Sequence, residues 1–273
     1  MWARPDQRQT PGRAPLPTCQ SDSMNTLTGT WRRLRFIAGP TRTPRRNLHL
    51  ANFLALHAGV LNSVGFVATA TYTSHMTGLT AALADHLVLG DLGLVGISVV
   101  AIVSFVVGSA TCAILFNWGR RRQLRSKYAS VLVLEASVVL LFGLLADAVT
   151  WSHRAWLFIP VLCFTMGLQN ALVTKASQAR IRTTHITGMV TDIGIELGKA
   201  LYRPRRADLP PVVANTEQLR HHLTLVSLFF LGGVIGAAGY LVVGFVTLVP
   251  AAVLLLVLAL PPLVADLRDW PTP

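Results

Sequence analysis

The sequence predicts an all-α membrane protein that crosses the bilayer several times, and three observations support this fold class. Hydrophobic residues make up 52% of the 273 positions and charged residues only 13%, whereas soluble domains carry about 25% charged residues. Several apolar stretches reach the roughly 20 residues that a helix needs to cross the hydrocarbon core. Two short sequence elements also occur twice, which is typical of membrane proteins built from two related bundles.

The N-terminal segment, residues 1–47, is predicted to be a disordered basic tail. It contains many prolines and arginines and few large apolar side chains, so that it cannot bury enough surface to become ordered. Met24 is an alternative start to Met1, because nothing before it carries a structural signal.

Six stretches are predicted to cross the membrane as helices, with three in a first repeat (48–150) and three in a second repeat (151–266). Two shorter apolar stretches are predicted to be helices that do not cross, and residues 267–273 form a short C-terminal tail. The crossings are expected near residues 48–70, 92–117, 128–149, 155–174, 223–243 and 245–265, and the short helices near 74–89 and 184–200.

The basic residues set the predicted topology. There are 24 Lys+Arg against 12 Asp+Glu, a net charge of +12. The Lys and Arg residues gather in the tail, in the loop 120–127 and in the loop after the fourth crossing. Cytoplasmic loops of membrane proteins carry such an excess, which places both termini in the cytoplasm. A nucleic-acid partner is not expected, because the charges lie between apolar runs rather than in one patch.

The duplicated elements predict that the two repeats are inverted. Residues 59–62 (Gly-Val-Leu-Asn) correspond to 167–170 (Gly-Leu-Gln-Asn), 108 positions later, and residues 73–78 correspond to 183–188, 110 positions later. Three crossings per repeat is an odd number, so the second repeat must run in the opposite direction. Gly232 and Gly236 form a GxxxG pattern that favours close helix packing, although glycines are also simply common in membrane helices.

The residues 167–171 (Gly-Leu-Gln-Asn-Ala) and 182–188 (Arg-Thr-Thr-His-Ile-Thr-Gly) resemble the YoaK family of bacterial membrane proteins, the DUF1275 group. The resemblance covers roughly residues 48–265. In the first repeat the family more often has Asn-Met-Thr-Gly where this chain has His75-Met76-Thr77-Gly78. The resemblance implies a fold and a kinship, and it brings no established activity.

Within the crossings, Glu135 is the main candidate for a pathway or binding residue. It lies eight residues beyond Lys127, about 12 Å into a core about 30 Å thick. An ionisable group at that depth is a functional hypothesis by default and would suit a proton-coupled carrier; a protonated glutamic acid bonded to a neighbouring helix is the alternative. Asn62 and Asn170 occupy equivalent positions, where an amide stabilises helix packing by on the order of 1 kcal/mol or lines a pathway.

The short helices supply the other candidates. The stretch 184–200 is amphipathic; its Asp192 and Glu196 either lie among lipid headgroups or face a wet cavity between the bundles, and Lys199 can pair with Glu196. The equivalent stretch 74–89 carries Asp85.

The repeated histidines, His75 and His185, are candidate proton relays, and the predicted inversion places them at opposite faces of the membrane. Thr183 or Thr184 is expected to cap the second short helix. The free N–H groups of that helix, together with Arg180 and Arg182, would bind an anion such as a lipid phosphate.

The sequence therefore predicts a permease for a small molecule or ion, with a site between the repeats. A non-transporting membrane protein that binds lipid or a partner is the alternative, and an intramembrane enzyme assembled from scattered residues is less favoured. No cofactor or metal site is predicted, since no ligand spacing matches a known motif, and Cys112 and Cys163 are expected to be buried structural residues. The expected partners are the lipid bilayer, an unknown small molecule or ion, and a second copy of the chain.

Overall fold

The computed structural model describes residues 44–124, 126–176, 183–202 and 211–268, and every regular element in these ranges is helical. Eight α-helices follow one another within these described ranges. One short 3₁₀ turn, Ala146–Ala148, extends α4, and another, Gly244–Thr247, joins α7 to α8. The helices are α1 Pro44–Thr69, α2 Met76–Leu89, α3 Leu92–Arg121, α4 Ala129–Leu145, α5 Ala155–Ala176, α6 Ile186–Leu201, α7 Thr216–Val243 and α8 Leu248–Arg268.

Five stretches in the described residues are long and apolar enough to cross a membrane. The first four, Leu48–Thr69, Leu92–Arg121, Ala129–Ala148 and Ala155–Ala176, correspond to α1, α3, α4 and α5. The fifth, Thr216–Asp266, has 51 residues and contains both α7 and α8. A straight helix of that length would measure about 77 Å, against a hydrocarbon core of about 30 Å.

The fifth stretch is interrupted at Gly244. This residue ends α7 with a positive φ of +66°, which a side chain would disfavour. The Asp147 carboxylate then accepts a hydrogen bond from the Phe245 amide at 3.1 Å. The chain therefore turns at this point and α8 begins as a separate helix.

The helices of the first half pack mainly against those of the second half. The three largest helix contacts are α1 with α7, α3 with α5, and α4 with α8. The first and second of these contacts are reciprocal, because each joins the first long helix of one half to the second long helix of the other. The two halves are therefore interleaved and do not form separate bundles.

Glycines allow the close contact between α1 and α7. A Cβ atom at Gly59 would lie 3.0 Å from the Phe229 carbonyl carbon, and a Cβ atom at Gly232 would lie 2.9 Å from the Leu56 carbonyl carbon. Each glycine thus faces the main chain of the other helix. The GxxxG pattern predicted from the sequence lies at this contact, with Gly232 and Gly236 both buried.

The contact between α3 and α5 has the same construction. A Cβ atom at Gly108 would lie 2.9 Å from the Phe164 carbonyl carbon, and one at Gly167 would lie 2.9 Å from the Phe105 carbonyl carbon. Gly167 corresponds to Gly59, and Phe164 corresponds to Leu56, at the same offset of 108 positions. The duplicated sequence therefore forms the same backbone contact twice.

The contact between α4 and α8 is tied at both ends by carboxylates. Asp147, after α4, accepts from the Phe245 amide before α8, and Asp266, near the end of α8, accepts from the Ser126 amide before α4 at 2.8 Å. The two aspartates are 119 positions apart, as are the two amide donors. The tie is therefore also duplicated, and it fixes α4 and α8 in opposite directions.

The first helices of the two halves, α1 and α5, also run in opposite directions. Leu50 near the start of α1 packs with Leu172 near the end of α5. Val64 near the end of α1 packs with Phe158 near the start of α5. These two helices form the centre of the molecule, since 67% of the most apolar part of each helix is buried, against 17% for α3.

The lipid-facing surface is formed by α3 and α7, which expose long rows of apolar side chains. On α3 these include Val103, Val106 and Ile114, and on α7 they include Phe230 and Ile235. Soluble monomers rarely expose so many large apolar side chains along two helices, which indicates contact with lipid.

One end of the bundle is basic. The Phe116 ring near the end of α3 lies 5.9 Å from the Lys127 ammonium and 5.7 Å from that of Lys175, so Lys127, just before α4, and the end of α5 share one end. Arg154 stacks at the other end, over Phe158 at 5.8 Å. The charge asymmetry that the sequence predicted between loops is therefore also an asymmetry between the two ends of the bundle.

Candidate functional site

Three polar side chains from three helices meet in the interior of the bundle. They are His57 on α1, Glu135 on α4 and Gln169 on α5, and their exposed fractions are 3%, 0% and 0%. We call these three residues the buried polar cluster. Because α1 and α4 belong to the first half and α5 to the second, the cluster lies where the two halves meet.

Gln169 fixes the orientation of His57. The Gln169 Nε2 amide donates to the Leu54 carbonyl at 2.6 Å, so the other end of the amide, Oε1, is the atom that faces the histidine. The distance from Oε1 to His57 Nδ1 is 3.3 Å. An amide oxygen can only accept, and therefore Nδ1 carries the hydrogen in the neutral imidazole.

Glu135 lies beside the same imidazole nitrogen. Its Oε1 is 3.5 Å from His57 Nδ1, which is an ion-pair distance rather than a well-formed hydrogen bond. Within the described part of the chain, both Glu135 oxygens and His57 Nε2 have no hydrogen-bond partner. An unpaired buried polar group costs about 1–3 kcal/mol, and a charged one more, which makes this cluster the candidate site.

The surroundings of the cluster are apolar. The Phe53 ring stacks against His57 with a centroid distance of 6.4 Å. Leu132 and Ala136, on either side of Glu135 in α4, belong to the same buried core as Leu255 of α8. Bulk water does not compete in such a setting, which strengthens any electrostatic interaction there.

The cluster departs from the repeat. At the offset of 108 positions, His57 corresponds to Thr165 and Gln169 to Leu61, and at the offset of 119 positions Glu135 corresponds to Leu254. None of the three residues therefore has an identical counterpart in the other half. The duplicated framework carries a site of this kind once per chain, among the residues that the structure describes.

Asn62 and Asn170 hold the loops that lead into the short helices. Asn62 Oδ1 accepts from the Ser74 amide at 3.1 Å and from the Ser74 hydroxyl at 2.9 Å. Asn170 Oδ1 accepts from the Thr184 hydroxyl. Of the two roles considered for these asparagines, these contacts are those of a structural role, although the bonds go to the following loop and not to another crossing helix.

His75 and His185 are the residues immediately before α2 and α6, and both are exposed. They follow α1 and α5, which run in opposite directions, so they lie at opposite ends of the bundle. The expectation that Thr183 or Thr184 caps α6 is wrong: His185 holds the N-cap position without a side-chain cap, and the Thr184 hydroxyl is bonded to Asn170 instead.

Glu196 joins α6 to α7. It is 4% exposed, and its carboxylate accepts from the Lys199 ammonium at 2.7 Å and from the Asn215 amide at 2.6 Å. The Lys199 hydrogen bond, helped by the Asn215 amide, holds the pKa of Glu196 below its usual value. Both oxygens of the Glu196 carboxylate thus accept hydrogen bonds within the protein, and Glu196 forms a structural ion pair with Lys199.

The other candidates on the short helices are more exposed. Asp192 lies 3.8 Å from His222 Nδ1 and is 46% exposed, and Asp85 on α2 is exposed. On α6, Val190 and Leu201 point away from the protein, as expected for a helix that turns its apolar stripe towards lipid.

Two candidates cannot be placed, because Arg180 and Arg182 lie outside the described residues. Cys112 and Cys163 are free and buried, as the sequence predicted. Among the described residues, no group of three or more His, Cys, Asp or Glu side chains could hold a metal ion.

Sequence reasoning missed His57 and Gln169. A signal existed for both: His57 is an ionisable residue inside an apolar crossing, and Gln169 stands in a repeated element where the other copy has Leu61. Asp147 and Asp266 were also not recognised as equivalent, because their offset of 119 differs from that of the two repeated elements.

The apolar helices and their lipid-facing rows define the class of this chain, a helical membrane protein with several crossings. The chain belongs to the family described as "protein of unknown function (DUF1275)", whose family model matches residues 50–260. The match confirms the family that residues 167–171 and 182–188 indicated. No curated protein matches the chain. No solved structure matches it either.

Proposed function

We propose that this protein is a permease of the bacterial inner membrane, with no enzymatic activity, that moves a small molecule or ion through a site at the contact between its two halves. It has six crossings, arranged as two inverted three-helix repeats, with α2 and α6 as short helices that do not cross. Both termini are cytoplasmic. Proton coupling through Glu135 drives the transport.

The architecture is supported by the directions of the helices. The break at Gly244 divides the fifth apolar stretch into α7 and α8, which gives three long helices after Ala155 as well as before it. The opposite directions of α1 and α5 are those that an inverted repeat requires. The reciprocal glycine contacts and the reciprocal aspartate ties support the same relation.

The orientation is supported by the basic end of the bundle. Lys127 and Lys175 lie together there, and the arginines at 120–122 end α3 beside them. Positively charged residues mark the cytoplasmic side. With six crossings, the N-terminus and the C-terminus are on that side too.

The observation that carries the proposal is the buried polar cluster. A lipid-embedded carboxylate, imidazole and amide are costly, and such residues mark substrate and ion pathways in membrane proteins. The cluster joins the central helices of both halves, which is where transporters with repeated halves bind their substrates. The other candidate residues would then lie where a solute enters or leaves and not in the site itself; they are the exposed Asp85, Asp192, His75 and His185.

A second function has specific support. Tight glycine packing and the fully satisfied Glu196 are also features of a rigid protein that binds lipid or a protein partner without transport. In that case the buried polar cluster would serve packing alone. The two functions differ in whether Glu135 is required for movement of a solute.

The test is a transport screen with purified protein in proteoliposomes on a solid-supported membrane. Panels of amines, amino acids, carboxylates and sugars are applied under an inward proton gradient. We expect a current with one of these classes, and we expect Glu135→Gln and His57→Gln to abolish it.

The matched control is Glu217→Gln, which makes the same chemical change at an exposed position, where the side chain is 77% exposed. It should transport as the wild type does. The absence of any current with folded wild-type protein, or an equal current with Glu135→Gln, would favour the non-transporting function.

A further inference from the structure

We infer that the buried polar cluster binds one cationic hydrogen-bond donor, either a proton or the ammonium group of a small amine, held jointly by His57 and Glu135. This inference rests on the proposed function, since it names the chemical class that the permease site accepts. It is drawn from the hydrogen-bond inventory of the site.

The cluster has already used its own donors. The Gln169 amide nitrogen is bonded to the Leu54 carbonyl at 2.6 Å. The His57 Nδ1 hydrogen points to the Gln169 oxygen at 3.3 Å. In a neutral imidazole with its hydrogen on Nδ1, the other nitrogen, Nε2, can only accept.

Three acceptors are then left over. They are the two oxygens of Glu135 and Nε2 of His57, and none has a hydrogen-bond partner within the described ranges. A ligand that brings further acceptors, such as a carboxylate or phosphate, would worsen this shortage of donors. A ligand that brings N–H or O–H groups would relieve it.

Charge leads to the same ligand. Burying an ionised carboxylate without compensation costs several kcal/mol, and one positive charge at the cluster removes that cost. A second positive charge would leave an uncompensated cation in the same apolar interior. His57 Nδ1 and Glu135 Oε1 are 3.5 Å apart, so the two residues form one site that binds one cation.

The neighbouring helices supply few competing charges. On α3 the titratable group in the surrounding core is the buried thiol of Cys112, and on α5 it is Lys175, whose ammonium lies 5.7 Å from the Phe116 ring at the basic end of the bundle. The α8 face contributes Leu255 and Ala259 to the surrounding core. The site therefore depends on His57 and Glu135 for its charge.

The test is infrared difference spectroscopy of the full-length protein in lipid vesicles. One series lowers the pH from about 9 to about 4, the range in which imidazole and carboxyl groups titrate. The other series adds methylammonium chloride at a fixed alkaline pH. We expect a carboxyl band of the wild type to change in at least one series, and this change to be absent in Glu135→Gln and retained in Glu217→Gln.

The two series separate the two sources of the cation. A change with acid alone assigns the site to a proton, and a change with methylammonium at constant pH assigns it to an amine. If no band in either series depends on Glu135, the residue has one fixed protonation state and the inference is overturned.

A second measurement uses the wild-type protein and does not require Glu135→Gln to fold. Nitrogen-15 NMR of labelled histidines, assigned with His57→Gln, should find the hydrogen of His57 on Nδ1 at alkaline pH. A hydrogen on Nε2 would contradict the donor inventory. Neither measurement involves transport, so a failed transport screen and a failed cation site are separate results.

Discussion

The reciprocal glycine contacts give the sharpest test of the interleaved packing. Gly59→Ala would place a methyl group 3.0 Å from the Phe229 carbonyl carbon and 2.8 Å from the Gly233 nitrogen, and Gly167→Ala would place one 2.9 Å from the Phe105 carbonyl carbon. These neighbours are backbone atoms and cannot rotate away. The helices must separate, and overpacking of this kind costs about 1–3 kcal/mol.

The matched control is Gly194→Ala in the middle of α6, where an added Cβ would have no neighbouring atom within 4 Å. Replacing a helical glycine by alanine without a clash stabilises by roughly 0.5–1 kcal/mol. Because all these variants replace a helical glycine by alanine, that gain cancels, and the interface variants should be less stable than this control by about 1–3 kcal/mol. Unfolding in mixed micelles, followed as the fraction of sodium dodecyl sulfate rises, measures the difference in free energy.

Double variants test which glycines share an interface. Gly59→Ala and Gly232→Ala act on the same α1–α7 contact, so their effects should be less than additive, whereas Gly59→Ala and Gly167→Ala act on different contacts and should add within about 0.5 kcal/mol. Equal stability of Gly59→Ala, Gly167→Ala and Gly194→Ala would refute the reasoning.

Three further predictions concern the topology, the loops and the ion pair. In a background without other reactive cysteines, Arg121→Cys should react with an impermeant maleimide only after the membrane is opened, and Ser152→Cys should react in intact cells; the reverse pattern would overturn the orientation. Asn62→Ala removes the acceptor of two loop hydrogen bonds and should lower the free energy of unfolding by about 1–3 kcal/mol, in the same micelle assay; an unchanged value would exclude a role in holding the loop. The pKa of Glu196 is lowered in the folded protein, so the carboxylate stabilises the fold above the ordinary glutamate pKa, and this stabilisation is lost as the pH falls through the lowered value. Glu196→Gln should therefore make the free energy of unfolding less sensitive to acid than it is in the wild type. Identical profiles of that free energy against pH would argue against the ion pair.

The length and apolarity of the stretches predicted where the helices lie. The expected crossings and short helices lie within a few residues of the observed helices, because length and apolarity alone decide which segments prefer the hydrocarbon core. The crossing expected near 48–70 corresponds to the apolar stretch Leu48–Thr69, and the helix itself begins four residues earlier, since Pro44 is acceptable in the first turn of a helix. The pairing of helices could not be predicted, because a glycine in a membrane helix does not show which backbone it faces.

The candidate site was predicted in part. Glu135 was recognised because a carboxylate in a crossing is rare, whereas its partners His57 and Gln169 come from helices that are 78 and 34 residues away in the chain. The surroundings of Glu196 could be predicted only in part, because Lys199 is close in sequence and its other partner is not. Its carboxylate is satisfied by Asn215, a backbone donor in another helix, and nothing in the local sequence announces such a contact.

The interleaving of the halves has a consequence for biosynthesis. The main partner of α1 is α7, which begins at Thr216, so the first helix to be inserted lacks its principal neighbour until most of the polypeptide has been translated. During translation the first half therefore remains in the insertion machinery or in lipid, and the glycine surface of α1 that contacts α7 stays uncovered. Premature termination before Thr216 would leave a fragment without its closing partner and a ready substrate for membrane proteases.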